Sequence, residues 1–229
     1  MNEDSVVQYL RENPAFFEDH AELLTQIFVA HPHGGKAIPL SDRQVIALRD
    51  ENKAYRAKLS ELIKFGEENV AISDKMHRLA QALLPARDLA GLLNVFYYNL
   101  GEDFAVPHTV IRLWREPLGE DAVEGADRPE FSPVSTEIMD YALGLTQPYC
   151  GPSGNVEAAG WFGEAAAHVR SVAHVALMEP SVAGSTEGAK CFGMLAMGSE
   201  DVLRFYPDMG TLYLKRLGDF LGAGVLRFI

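Results

Sequence analysis

Several classes of protein are disfavoured by what this sequence lacks. It has only two cysteines, Cys150 and Cys191, far apart and in no CxxC pair. That argues against a disulfide framework and against a structural zinc site. Basic residues are scarce, 20 Lys and Arg against 32 Asp and Glu for a formal net charge of −12. This disfavours direct nucleic-acid binding, which needs clustered cations to neutralise phosphates. No apolar run approaches the roughly 18–20 residues of a membrane-spanning helix. The opening MNEDSVVQYLREN also lacks the basic and apolar regions of a secretory signal. The expectation is a cytoplasmic protein with no membrane partner. At 48% hydrophobic and 23% charged residues over 229 positions, the chain can bury a real core.

Charge divides the chain into three regions. Residues 1–40 carry 2 basic and 6 acidic side chains, residues 41–84 carry 8 and 7, and residues 85–229 carry 10 and 19. In the first region Val6, Val7, Leu10, Phe16, Phe17, Leu23, Leu24 and Ile27 recur at helical spacing, interrupted by Asn13-Pro14. Two or three short amphipathic helices are predicted. So small a cluster cannot bury its own apolar face, so Phe16 and Phe17 are expected to dock on another part of the protein or on a second copy. A Pro- and Gly-rich loop, VAHPHGGKAIPLS, follows.

The second region opens with Ser41-Asp42-Arg43-Gln44, the S-x-x-Q form of a capping box. No proline intervenes before Pro85, so a helix of about 40 residues, roughly 60 Å long, is predicted. Leu48, Tyr55, Leu62, Met76 and Leu83 share one heptad position with Asn69 as its polar member. Val45, Asn52, Leu59 and Ala80 share the partner position with Gly66 and Ser73. This is a coiled-coil seam with weak points, and a polar Asn in a seam fixes register at some cost in stability. The pattern is read as a dimerisation element giving a homodimer through residues 41–84. The competing reading is a single amphipathic helix packed on its own domain.

From Pro85 the pattern changes. Leu89, Leu92, Leu93, Phe96 and Leu100 predict an amphipathic helix, and VPHTVIRLWRE predicts a strand. Residues 116–130, with six acids, read as a solvated loop. SPVSTEIMDYALGL predicts a capped helix, TQPYCGPSG a short strand, and NVEAAGWFGEAA a short helix or lid-like segment. RSVAHVALMEP and KCFGMLAMGS predict two further strands joined by the turn-rich SVAGSTEGA, and a last helix carries Leu212, Leu217 and Leu221. The fold class is α+β, a central antiparallel sheet flanked by helices.

YLRENPAFF, the long helix, the YCG at 149–151 and the closing GMLAMGSEDVLRFYPDMGTLYLKRL together resemble the bacterial domain-of-unknown-function family 484. The resemblance covers almost the whole chain. It implies a GAF-like domain over residues 85–229, preceded by a short-helix region and the long helix, and it brings no established chemistry.

No catalytic signature is found. GMLAMGSEDVLRFYP lacks the Lys of a phosphate-binding loop and the GxGxxG of a dinucleotide fingerprint, and Glu200 and Asp201 would repel a phosphate. It is read as a strand-to-helix corner. There Gly193 and Gly198 permit close backbone approach, Arg204 pairs with Glu200 or Asp201, and Asp208 caps the last helix. No HExxH or Ser-His-Asp set appears, so no enzymatic activity and no cofactor are expected. His31 and His33 fall short of a zinc site and read as solvated loop residues. Cys150 is either a buried, inert thiol or the reactive centre of a redox enzyme. The remaining possibility is a small-molecule pocket on the sheet face, with Tyr149, Cys150, Trp161, Phe162 and His174 as candidate ligand-binding residues. Its competing reading is that these aromatics complete the core.

Overall fold

Pro14 ends the first helix. In the computed structural model, which describes residues 2–30, 38–118, 128–152, 155–179 and 190–229, α1 spans Glu3–Glu12 and is followed by two single-turn helices, α2 (Phe16–Asp19) and α3 (Leu23–Gln26). The chain divides into two compact units, Met1–Asn69 and Val70–Ile229. Phe16 meets Phe17 edge-to-face at 5.5 Å and Tyr9 at 6.2 Å, so these rings pack within their own unit. Phe16 and Phe17 are only half-buried, Tyr9 is exposed, and no described residue before Met76 is fully buried. The predicted loop contains a small antiparallel pair, β1 (Phe28–Val29) and β2 (Ile38–Pro39). His31 and His33 lie outside the described residues.

Helix α4 runs unbroken from Leu40 to Leu83, through Gly66. It begins one residue before the predicted cap, because the Leu40 N–H already donates to the Ile27 carbonyl at 3.0 Å. Ser41 therefore lies in the first turn rather than before it. Along α4 only Met76, Leu79 and Leu83 are buried, all in the second unit.

The second unit is built on four strands, β3 (His108–Leu113), β4 (Tyr149–Gly151), β5 (Ser171–Met178) and β6 (Cys191–Ser199), in the order β3-β6-β5-β4 with every neighbour antiparallel. Alternation along the strands gives the sheet two faces. One carries Ile111, Leu113, Cys150, Ala173, Val175, Leu177, Leu195 and Met197, and it forms the main core with the end of α4, α5 (Leu89–Glu102) and the closing helix. The five apolar residues that predicted α5 are all buried, and Asp88 caps the helix by accepting from the Gly91 N–H at 2.6 Å.

The closing helix, α8 by our count, spans Leu212–Val225. Its buried face is Leu214, Leu217, Gly218, Leu221, Gly222 and Val225, whereas Leu212 is exposed. At 3.6 residues per turn Leu212 lies well off the stripe that Leu217 and Leu221 share. Asp208 does not cap this helix; Thr211 holds the cap position without a side-chain bond. The acidic stretch 116–130 also departs from expectation. Its end is a 3-10 turn, Pro129–Phe131, in which Glu130 is buried and accepts from the Tyr97 hydroxyl at 3.1 Å and from Arg128 at 3.3 Å. Residues 119–127 and 180–189, the second including the predicted turn SVAGSTEGA, lie outside the described residues.

Candidate functional site

The other sheet face is where most of the candidate residues meet. Strand register places Val110, Ala196, His174 and Tyr149 in one row across it, with His108, Gly198, Val172 and Gly151 on one side and Arg112, Met194 and Ala176 on the other. Three segments cover the face. Helix α6 (Thr136–Gly144) is capped by Ser135, which accepts from the Ile138 N–H at 3.2 Å, and packs Ile138 and Ala142 near Met194. Helix α7 (Val156–Gly160) is capped by Asn155, and a 3-10 turn follows at Gly163–Ala167. Trp161 and Phe162 stand between these last two elements. Phe162 lies against Gly198, where an added Cβ would fall 3.0 Å from the ring.

His174 sits at the centre of this face, 1% exposed. Its ring faces Tyr149 at 5.6 Å and Tyr141 at 5.8 Å, the second nearly perpendicular. Tyr141 Oη lies 3.0 Å from Nδ1, and Nε2 is buried with no hydrogen-bond partner among the described residues. Burial lowers the His174 pKa to about 4, because the low-dielectric interior disfavours the imidazolium. The ring is therefore neutral near pH 7. Whichever tautomer holds, one nitrogen is engaged by Tyr141 and the other presents an unused donor or acceptor. Burial likewise raises the Tyr141 pKa to about 12, so its hydroxyl stays protonated. Arg112 completes the polar set: its guanidinium lies 5.4 Å from the Trp161 ring and donates to the Pro129 carbonyl at 2.7 Å.

The structure thus brings Tyr149, Trp161, Phe162 and His174 to one face and leaves Cys150 out. Cys150 pairs with Ala173 in register, faces the main core and is buried. Adjacent residues of a strand point to opposite faces, which separates it from His174. Burial pushes its thiol pKa up to about 11, the reverse of what an attacking thiolate needs. Sequence reasoning missed Tyr141 and Arg112. Tyr141 follows the buried Ile138 by one helical turn, a signal that was present, whereas Arg112 looks like an ordinary strand cation until its partners are known.

The closing motif forms the corner that leads from β6 to α8. A Cβ on Gly193 would fall 2.7 Å from the Arg112 carbonyl oxygen, so this is the close strand approach that glycine permits. Arg204 does not pair with Glu200 or Asp201. Its guanidinium donates to the Phe104 carbonyl and lies 5.8 Å from the Phe205 ring. The turn is closed instead by Asp201, whose Oδ1 accepts from the Leu203 N–H at 2.9 Å.

Among the described residues no three His, Cys, Asp or Glu side chains stand close enough to hold a metal ion, and no helix is long and apolar enough to cross a membrane. The fold defines an α+β protein with a helix-flanked antiparallel sheet, a 44-residue helix and short N-terminal helices. The chain belongs to the family described as "Protein of unknown function, DUF484", whose profile matches residues 1–229. It is also 25% identical to the uncharacterized protein YigA of Salmonella typhimurium, over all of this chain and 93% of that protein.

Proposed function

We propose that this protein is a GAF-like regulatory or assembly module, without catalytic chemistry of its own, that forms a homodimer through residues 41–84. The observation that carries this reading is the exposed seam of α4. Val45, Leu48, Tyr55, Leu59 and Leu62 occupy the two heptad positions and are 44–64% exposed in a single chain. Burying each Leu would contribute about 1.5–3 kcal/mol, and a 3.5-residue period is the pattern a partner helix reads. A second copy fits this seam by symmetry. In a parallel pair Asn52 meets its own counterpart, and the flanking positions of Glu51 and Arg56 oppose each other across the interface.

Light scattering of the full chain at micromolar concentration tests the reading, with a dimer expected. The double substitution Leu59→Glu and Leu62→Glu is expected to give a monomer whose sheet unit still melts cooperatively. A wild-type monomer would refute the proposal.

A second reading, a small-ligand sensor, is favoured by the unpartnered Nε2 of His174. Buried polar groups without partners are uncommon, and aromatic walls around a free hydrogen-bonding atom suit a planar polar ligand. Thermal-shift screening against nucleotides and metabolites should find a compound that stabilises the wild type but not His174→Phe. Equal stabilisation of both proteins would sink this reading. A cysteine-based redox activity draws no support from Cys150, which is buried and turned away from His174.

A further inference from the structure

A cavity lies within the Val70–Ile229 unit, on the side of the sheet opposite His174. Its volume is about 320 Å³, at the lower end of the range small-molecule sites occupy. The floor and walls are apolar, formed chiefly by Ile72, Val106, Met197, Phe205, Leu214 and Leu217. Two cations, Lys75 of α4 and Arg204 of the β6–α8 connection, also line it, and no acidic residue does. That contrast matters in a chain with 32 Asp and Glu.

The cations are placed differently. Arg204 is held in position, since its guanidinium donates to the Phe104 carbonyl while a five-donor fork keeps other N–H groups to offer. Lys75 is half-buried. The neighbouring cation Arg78 is already matched by Asp103 at 3.5 Å, whereas Lys75 takes part in no salt bridge among the described residues. Ala105, which also lines the cavity, holds φ +50°. That left-handed backbone is unfavourable for a residue with a Cβ.

We infer that this cavity binds a small amphipathic carboxylate, with its apolar body on the Met197–Phe205–Leu217 floor and its carboxylate between Lys75 and Arg204. The volume admits a body on the order of a dozen non-hydrogen atoms. Charge complementarity selects an anion over a neutral or cationic analogue, because a charge-assisted contact is roughly twice as strong as a neutral one.

The probe is decanoate, titrated into the full chain by calorimetry below its micellar concentration, with decanol and decyltrimethylammonium as comparators. Saturable one-to-one decanoate binding is expected, about tenfold or more tighter than decanol, and no binding of the cation. The Lys75→Met and Arg204→Met double variant should reduce decanoate to the affinity of decanol. Gly210→Trp offers an independent block, because Gly210 lines the cavity and a Cβ there meets nothing within 4 Å. It should abolish binding of both compounds, whereas His174→Phe should leave both unchanged. Absence of saturable decanoate binding to the wild type overturns the proposal. So does binding that survives both cavity variants, or that is lost only in His174→Phe.

Discussion

The hydroxyl of Tyr141 lies 3.0 Å from Nδ1 of His174 and ties α6 to the centre of the sheet. The bond joins a helix residue to a strand residue 33 positions later, at a depth where water does not reach the ring. It fixes the imidazole orientation and leaves its Nε2 without a partner among the described residues, as is also true of His108 Nε2 in the next row of the face.

The buried imidazole makes stability depend on pH. Its pKa is lowered in the fold to about 4 from an ordinary value of 6.5, so between these values the unfolded chain binds more protons than the native one. Stability is therefore level above about pH 6.5 on this account, falls as pH drops towards 4, and loses up to about 3 kcal/mol in all. Urea unfolding at a series of pH values should show this slope, and His174→Gln should flatten it. A His174 imidazole resonance, assigned by its loss in His174→Gln, that titrates near 6.5 in the folded protein would contradict the assignment.

Cys150 should be silent towards thiol reagents. With burial pushing its pKa up to about 11 and that of Cys191 also raised, almost no thiolate forms at pH 7.5. Labelling with a chromogenic disulfide is expected to be slow in the native state and to reach both cysteines in denaturant. Fast native labelling of Cys150 would restore the case for a reactive thiol.

The strand and helix glycines can be ranked by what a methyl group would meet. At Gly193 it would fall 2.7 Å from the Arg112 carbonyl oxygen, and at Gly218 it would fall 2.5 Å from Val175 Cγ1. Backbone and a β-branched side chain yield poorly, so Gly193→Ala and Gly218→Ala should each destabilise by about 1–3 kcal/mol. At Gly210 nothing lies within 4 Å, and Gly210→Ala should change stability little. Denaturant midpoints of the three variants check the order.

Much of the fold was legible because single periodicities carried it. Leu89, Leu92, Leu93, Phe96 and Leu100 announce α5, and the apolar runs ending at Met178 and Ser199 announce β5 and β6. The β1–β2 pair was hidden because two-residue strands have no period to read. The stripe of α8 was misjudged at Leu212, since several leucines compete for one face and only the neighbouring sheet chooses between them.

The sequence alone determined the order and type of the main elements, the long helix α4 and its heptad pattern, because spacing and caps act over a few residues. Tertiary structure decided everything that depends on which strand lies beside which. The order β3-β6-β5-β4 brings His174 to Tyr149, while α6 carries Tyr141 to its ring, and strand alternation turns Cys150 to the opposite face. It also sets Lys75 and Arg204, 129 positions apart in the chain, around one cavity. Long-range pairing of this kind is fixed by burial of whole faces rather than by any local pattern, so no stretch of sequence announces it.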